Sequence, residues 1–134
     1  MSYARQMLDT YAGDLQGDAD LLAGAIDALN DCAQACAADV EANLREPNLA
    51  DMVRCIRFCL DCTDVCRSTA AVLSRRTCED TRLARLLLEA CVATCKSCGD
   101  ECQRHARMHS HCRVCEESCR RGEEASRLLL AALN

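Results

Sequence analysis

Two stretches of this chain repeat one cysteine spacing without a shift. Cys91, Cys95, Cys98 and Cys102 fall at i, i+4, i+7 and i+11, and Cys55, Cys59, Cys62 and Cys66 do the same. On a helix turning 100° per residue these positions form one stripe about 60° wide. Shorter copies follow the rule: Cys32 with Cys36, and Cys112 with Cys115 and Cys119. The pattern predicts four helices, each carrying sulfur along the seam where a bundle helix normally carries leucine. A seam of thiols points to a soft metal ion.

At 134 residues the chain is one domain, large enough to bury a core without staples. Its net charge of −5 argues against nucleic acid and against anionic membrane surfaces as partners. No apolar run approaches the length of a membrane span. The N-terminal residues show neither a continuous apolar stretch nor a twin-arginine start, so a cytoplasmic location is expected. That expectation decides how the 14 cysteines are read. Disulfide-dense domains are small, loop-rich and secreted, whereas all of these cysteines but Cys78 lie at helical spacing in helical segments.

The expected fold is all-α: an antiparallel up-down-up-down four-helix bundle over residues 18–134, preceded by a short amphipathic helix within 1–17. In the short helix Tyr3, Met7 and Tyr11 recur every four residues, which suits packing on the outside of the domain or at a subunit contact. The first bundle helix is expected from Asp18 or Asp20 as N-cap to Leu44, with Leu21, Ala25, Leu29, Cys32, Cys36 and Val40 facing inward. Pro47 breaks the chain, and Asn48 with Asp51 resembles a capping box for the second helix, which runs to Ser74. Thr77 with Asp80 offers a similar cap for a third helix reaching His109, and Ser110 caps a fourth ending in Leu128, Leu129, Leu130 and Leu133. Gly99 and Gly122 fall inside helices at a cost near 1 kcal/mol each.

Short connections place Cys36, Cys55, Cys102, Cys112 and Cys115 within about 12 Å of one bundle end, and Cys66 and Cys91 about 26 Å deep. Beyond them the expected stripe residues are Leu21, Leu29, Leu73, Leu87, Leu130 and Leu133. The result is a thiol-lined tube with a hydrocarbon plug at one end. His105 and His109 extend the Cys102 stripe to the open end, where His111 precedes Cys112 and where Met52, Met108 and Asp51 also fall. These three histidines are candidate ligands. Cys78 lies at the opposite end, off the stripe.

Cysteine as mere core filler would leave voids, because small side chains facing one another cannot reach close packing. Thiolates with few carboxylates or imidazoles select Cu(I) over Zn and iron–sulfur clusters. A structural Zn site needs four ligands converging tetrahedrally, which a straight column of thiols makes awkward to repeat. The bacterial ferredoxin ligand run is absent. Bridging thiolates would let capacity approach about one Cu(I) per cysteine. An enzyme is not expected: a di-iron bundle needs Glu-x2-His, which the chain lacks, and no thiol is singled out as a nucleophile. Two other readings use the same fold: a Zn or mixed soft-metal reservoir, and a helical interaction protein without metal.

The paired Cys-x3-Cys-x2-Cys-x3-Cys helices, the preceding Cys-x3-Cys, and the His-bearing segment before Cys-x2-Cys-x3-Cys resemble the bacterial copper storage proteins, in particular their cytosolic branch. The resemblance covers residues 18–133. It implies a bundle holding many Cu(I) ions for storage and detoxification, a homotetramer of such bundles, and metal uptake at the end bearing His105, His109 and His111. A copper chaperone is a candidate partner for delivery.

Overall fold

The computed structural model describes residues 2–12, 17–75 and 81–133. Five helices follow one another: α1 Tyr3–Asp9, α2 Ala19–Leu44, α3 Leu49–Ser74, α4 Arg82–His105 and α5 Ser110–Ala132. In the bundle, α2 lies beside α3 and α5, and α4 completes the ring beside the same two. This is the expected all-α fold. Thr77, Cys78 and Asp80 lie outside the described residues.

The bundle seam alternates steps of three and four residues on every helix. On α3 the buried residues include Met52, Cys55, Cys59, Cys62, Cys66, Thr69 and Leu73. On α4 they include Ala84, Leu88, Cys91, Cys95, Cys98 and Cys102, and on α5 Cys112, Cys115, Cys119, Gly122, Ser126 and Leu129. Such a mean period of 3.5 residues is the one that keeps a single stripe facing the partners when right-handed helices pack in a left-handed supercoil.

The alternation revises the expected plug. Leu88, not Leu87, is fully buried, because a step of three from Cys91 stays on the seam. Leu22, Ile26, Leu29, Leu73 and Leu129 complete the hydrocarbon, while Leu21, Leu130 and Leu133 are only partly buried against it. On α2 the seam residue after Cys36 is Asp39, buried, and Val40 is half-buried beside it.

The ends also differ in part from expectation. Asp18 caps α2 as predicted, its carboxylate accepting from the backbone N–H of Asp20 at 2.8 Å and of Leu21 at 3.2 Å. Asn48 makes no such cap on α3; its amide reaches Met52 Sδ at 3.9 Å instead. Helix α4 stops at His105, and His109, in an extended conformation, stands at the N-cap of α5 in place of Ser110. A longer α4 would overrun the bundle end; the reversal after Ala106 brings Cys112 back beside Asn43.

Helix α1 packs on the outside of the bundle, with Tyr11 of the expected stripe partly buried against the core. Leu8 is buried, while Tyr3 and Met7 are exposed. Arg5 pairs with Asp20, and the Tyr11 hydroxyl donates to the Ser74 carbonyl, so α1 is tied down at the plug end.

Candidate metal centre

The thirteen described cysteines are free thiols and all are buried. Their sulfurs form a continuous column. Cys95 meets Cys66 at 3.6 Å, and Cys66 meets Cys62 at 3.8 Å. Cys62 meets Cys32 at 3.7 Å, and Cys32 meets Cys119 at 3.8 Å. Cys119 and Cys115 lie 3.8 and 3.6 Å from Cys36, and Cys59 lies 3.6 Å from Cys98. Nearer the mouth, Cys55 and Cys102 are 3.8 Å apart.

Grouped as ligands, these atoms make sets of four whose members all lie within 4.8 Å of one another. Cys32, Cys62, Cys66 and Cys95 form one; Cys32, Cys36, Cys62 and Cys119 the next. Cys36, Cys98, Cys115 and Cys119 follow, then Cys59, Cys98, Cys102 and Cys115, then Asp39 with Cys55, Cys59 and Cys102. Each set shares two members with its neighbour. The expectation that a column makes convergence of four thiols awkward to repeat is therefore corrected. Four sulfurs held about 2.3 Å from a tetrahedral ion stand about 3.8 Å apart, so one set alone would suit Zn. The sharing is what disfavours it. Adjacent sets cannot each own four ligands, whereas soft ions bridged by common thiolates can occupy the whole column.

Gly122 has a clear role here. A Cβ at that position would stand 3.1 Å from Cys95 Sγ and 3.7 Å from Cys32 Sγ, so glycine leaves the column open. At Gly99 the added atom would meet Arg120 Nη1 at 2.9 Å, in the guanidinium that pairs with Asp100 and Glu116.

Asp39 joins the thiols to the histidines, and sequence reasoning passed over it. Its Oδ2 accepts from Cys59 at 3.5 Å and from Cys55 and Cys102 at 3.8 Å, with the Asn43 amide at 3.5 Å. Its Oδ1 lies 2.6 Å from His111 Nδ1. Burial raises the Asp39 carboxyl above the usual carboxylate range, although the His111 hydrogen bond opposes this. Asn43 Oδ1 takes the Cys112 thiol at 3.6 Å, and Cys112 Sγ lies 3.5 Å from His111 Nδ1.

The mouth gathers all three predicted histidines. His109 Nδ1 pairs with Glu46 at 2.5 Å, and the His109 and His111 rings stack with centroids 5.3 Å apart. Each of these two rings turns Nδ1 toward a carboxylate, the outer contact that orients metal-bearing imidazoles. Both Nε2 atoms are buried without a hydrogen-bond partner. His105 Nε2 lies 3.0 Å from Glu101, a buried carboxylate that also accepts from Arg54 at 3.1 Å and Arg104 at 3.2 Å. Of the other residues expected nearby, Met52 is buried, whereas Asp51 and Met108 are exposed.

Protons and metal compete for these sulfurs. Hydrogen bonds to Cys115 and Cys119, together with burial, raise the Cys36 thiol. Cys59 is lowered by Cys102 but raised more by Cys115, Cys55 and burial, and ends pushed up to about 12. Cys98 is raised, chiefly by Cys102 and Cys115. Cys62 is lowered, chiefly by Cys119 and Cys32.

The family model of the copper storage proteins (Csp) matches residues 18–131. The chain belongs to the copper storage protein family. A structure of the copper storage protein Ccsp from Streptomyces lividans, loaded with 10 copper equivalents, is 51% identical with a TM-score of 0.94. That match covers 97% of this chain and 99% of the other. A second, of a cytosolic copper storage protein from Streptomyces lividans with five coppers, is 52% identical with a TM-score of 0.84, covering 86% and 96%. An uncharacterized cysteine-rich protein of Bacillus subtilis, YhjQ, is 31% identical over 93 residues, 69% of this chain and 81% of its own. Among the described residues no helix is long and apolar enough to cross a membrane.

Proposed function

We propose that this copper storage protein family member holds many Cu(I) ions in the cytosol, for storage and detoxification, on Cys32, Cys36, Cys55, Cys59, Cys62, Cys66, Cys91, Cys95, Cys98, Cys102, Cys112, Cys115 and Cys119. The observation that carries the reading is the run of four-ligand sets, each sharing two members with the next, inside a closed core. Shared thiolates suit a chain of soft ions and do not suit isolated Zn centres.

Uptake runs through His105, His109 and His111. The mouth offers imidazoles that are only partly exposed, two of them with an unpartnered Nε2, soft enough to hold Cu(I) and weak enough to pass it on. Asp39 then stands between His111 and the thiols of Cys55, Cys59 and Cys102. The plug end has no comparable ligands among the described residues. A reducing cytosol keeps the thiols available, and the family role is storage rather than catalysis. Exposed Leu60, Leu83 and Leu86 support assembly into a homotetramer, with a copper chaperone as the candidate donor.

The test is anaerobic competition between Cu(I) and Zn(II) for the reduced protein, followed by metal analysis after desalting. Copper should displace zinc from the column. Retention of zinc in the presence of equimolar Cu(I) would replace this reading with a Zn reservoir.

A further inference from the structure

The deep end of the column is built differently from its mouth. At the level of Cys95, α3 supplies Cys66 at 3.6 Å, α2 supplies Cys32, and α5 supplies Gly122. One turn deeper the same stripes present Leu29, Thr69, Cys91 and Ser126, none with any solvent exposure. Ala25, Leu73, Leu88 and Leu129 close the core beneath them. Cys91 is therefore the last thiol of the column, in a layer whose other polar members are two hydroxyls.

Those hydroxyls behave differently. Serine and threonine inside a helix ordinarily return the hydroxyl to the carbonyl four residues back. Thr63 does so to Cys59 at 2.8 Å, Thr69 to Val65 at 2.8 Å, and Ser74 to Ala70 at 2.7 Å. Ser126 does not bond to Gly122: its Oγ is buried with no hydrogen-bond partner. An unpaired buried hydroxyl destabilises a fold, so its persistence needs a cause. Its position continues the alternation Cys112, Cys115, Cys119, Gly122, and so lies level with Cys91 across the α4–α5 contact.

We infer that Ser126 is a positioning residue for the innermost copper ion, its hydroxyl donating to the Cys91 thiolate when that ion is bound. The inference rests on the storage reading. A neutral hydroxyl oxygen is a hard, poor ligand for Cu(I), so its partner is the sulfur and not the ion. As the sulfur–copper bond forms, the Cys91 thiol proton is released to solvent. The Ser126 O–H bond stays intact and its hydrogen is shared with the new thiolate, a charge-assisted contact stronger than one between neutral groups. Thr69 also stands against Cys91, but its hydrogen is committed to the Val65 carbonyl at 2.8 Å, whereas that of Ser126 is uncommitted.

The test compares wild type, Ser126→Ala, Cys91→Ala and the double variant, each loaded anaerobically with Cu(I) and challenged with a graded cuprous chelator. Thermal midpoints of the metal-free proteins are measured beside them. Cys91→Ala identifies the innermost ion by its loss. Ser126→Ala should keep the wild-type count at saturation but release that one ion roughly tenfold more readily. Its metal-free midpoint should be no lower than wild type, since the variant deletes an unpaired hydroxyl. In the Cys91→Ala background the serine change should have no further effect. A merely structural serine would lower the metal-free midpoint and leave the innermost ion as tightly held as in wild type; either result overturns the inference. A wild-type protein holding many ions with Ser126→Ala indistinguishable from it defeats the inference alone. Saturation of wild type at one or two ions defeats the storage reading and the inference with it.

Discussion

The two halves of this bundle follow one helical pattern with different side chains. Toward the plug, the seam positions carry Leu22, Ile26, Leu29, Leu73, Leu88 and Leu129, which interlock and exclude water. Toward the mouth, the same positions carry thiols whose contacts are 3.6 to 3.9 Å, sulfur against sulfur. Hydrocarbon burial contributes about 25 cal/mol per Å², and a leucine offers far more apolar surface than a cysteine. The comparison teaches that stability and cargo are separated along the axis. The plug holds the helices together, and the thiol half stays available for ions. A protein that stores metal reversibly has to remain folded when empty, and this division permits it.

The largest expected effect falls on stability. Leu88→Ala should destabilise the metal-free protein by roughly 2–5 kcal/mol while leaving the copper count unchanged. Cys98→Ala should cost no more than about 1 kcal/mol, yet reduce the count. Urea denaturation and metal analysis of both variants check this. If Cys98→Ala destabilised the empty protein as much as Leu88→Ala, the two halves would not differ as argued.

A smaller effect concerns direction. Replacing His109 and His111 with alanine should slow copper loading and chelator-driven removal about 10–100-fold, the usual scale when groups that hold or orient a ligand are lost. Leu73→Ala, at the plug, should leave those rates alone. Stopped-flow loading under anaerobic conditions reads both. Equal rates for the histidine variant and wild type would place the port elsewhere.

The mildest effect is on pH, and it sharpens the contrast because the thiol half carries the ionisable residues of the buried seam. Metal-free Cys36, Cys59 and Cys98 have thiols raised above their ordinary value, so they keep their protons through neutral pH. Each bound ion must displace protons, so apparent affinity should rise as pH rises toward those raised values and fall in acid. The change should be about tenfold per pH unit for each proton released. Titrations in buffers of different ionisation enthalpy count those protons. Affinity independent of pH would mean the thiols are already ionised in the empty protein.

Much of this was legible in the cysteine spacing alone: four helices, the antiparallel bundle, the thiol column and the end that bears the histidines. What was missed follows from one rule applied unevenly. Continuing the steps of three and four past Cys36 lands on Asp39 and Asn43, both buried. Hydrophobicity favoured Val40 instead, since a buried carboxylate looks unfavourable until its partners are known. The same rule run backward from Cys91 selects Leu88 over Leu87, and run forward from Cys119 selects Gly122 and Ser126. His109 was harder. Its spacing fits a longer α4, and only the need to bring Cys112 back to the column turns the chain before it. Glu101 stands four residues before His105 on α4, a spacing the sequence does display, whereas Glu46, which holds His109 from far along the chain, carries no such pattern.

The central claim is that one preformed column holds many cuprous ions at once. Native mass spectrometry of the reduced protein, titrated anaerobically with Cu(I), tests it most directly, with circular dichroism of the same metal-free sample. The account predicts a strongly helical empty protein whose copper number climbs to the order of ten per chain, as expected for shared thiolates. Saturation at one or two ions, or a coil that becomes helical only as copper is added, would contradict it.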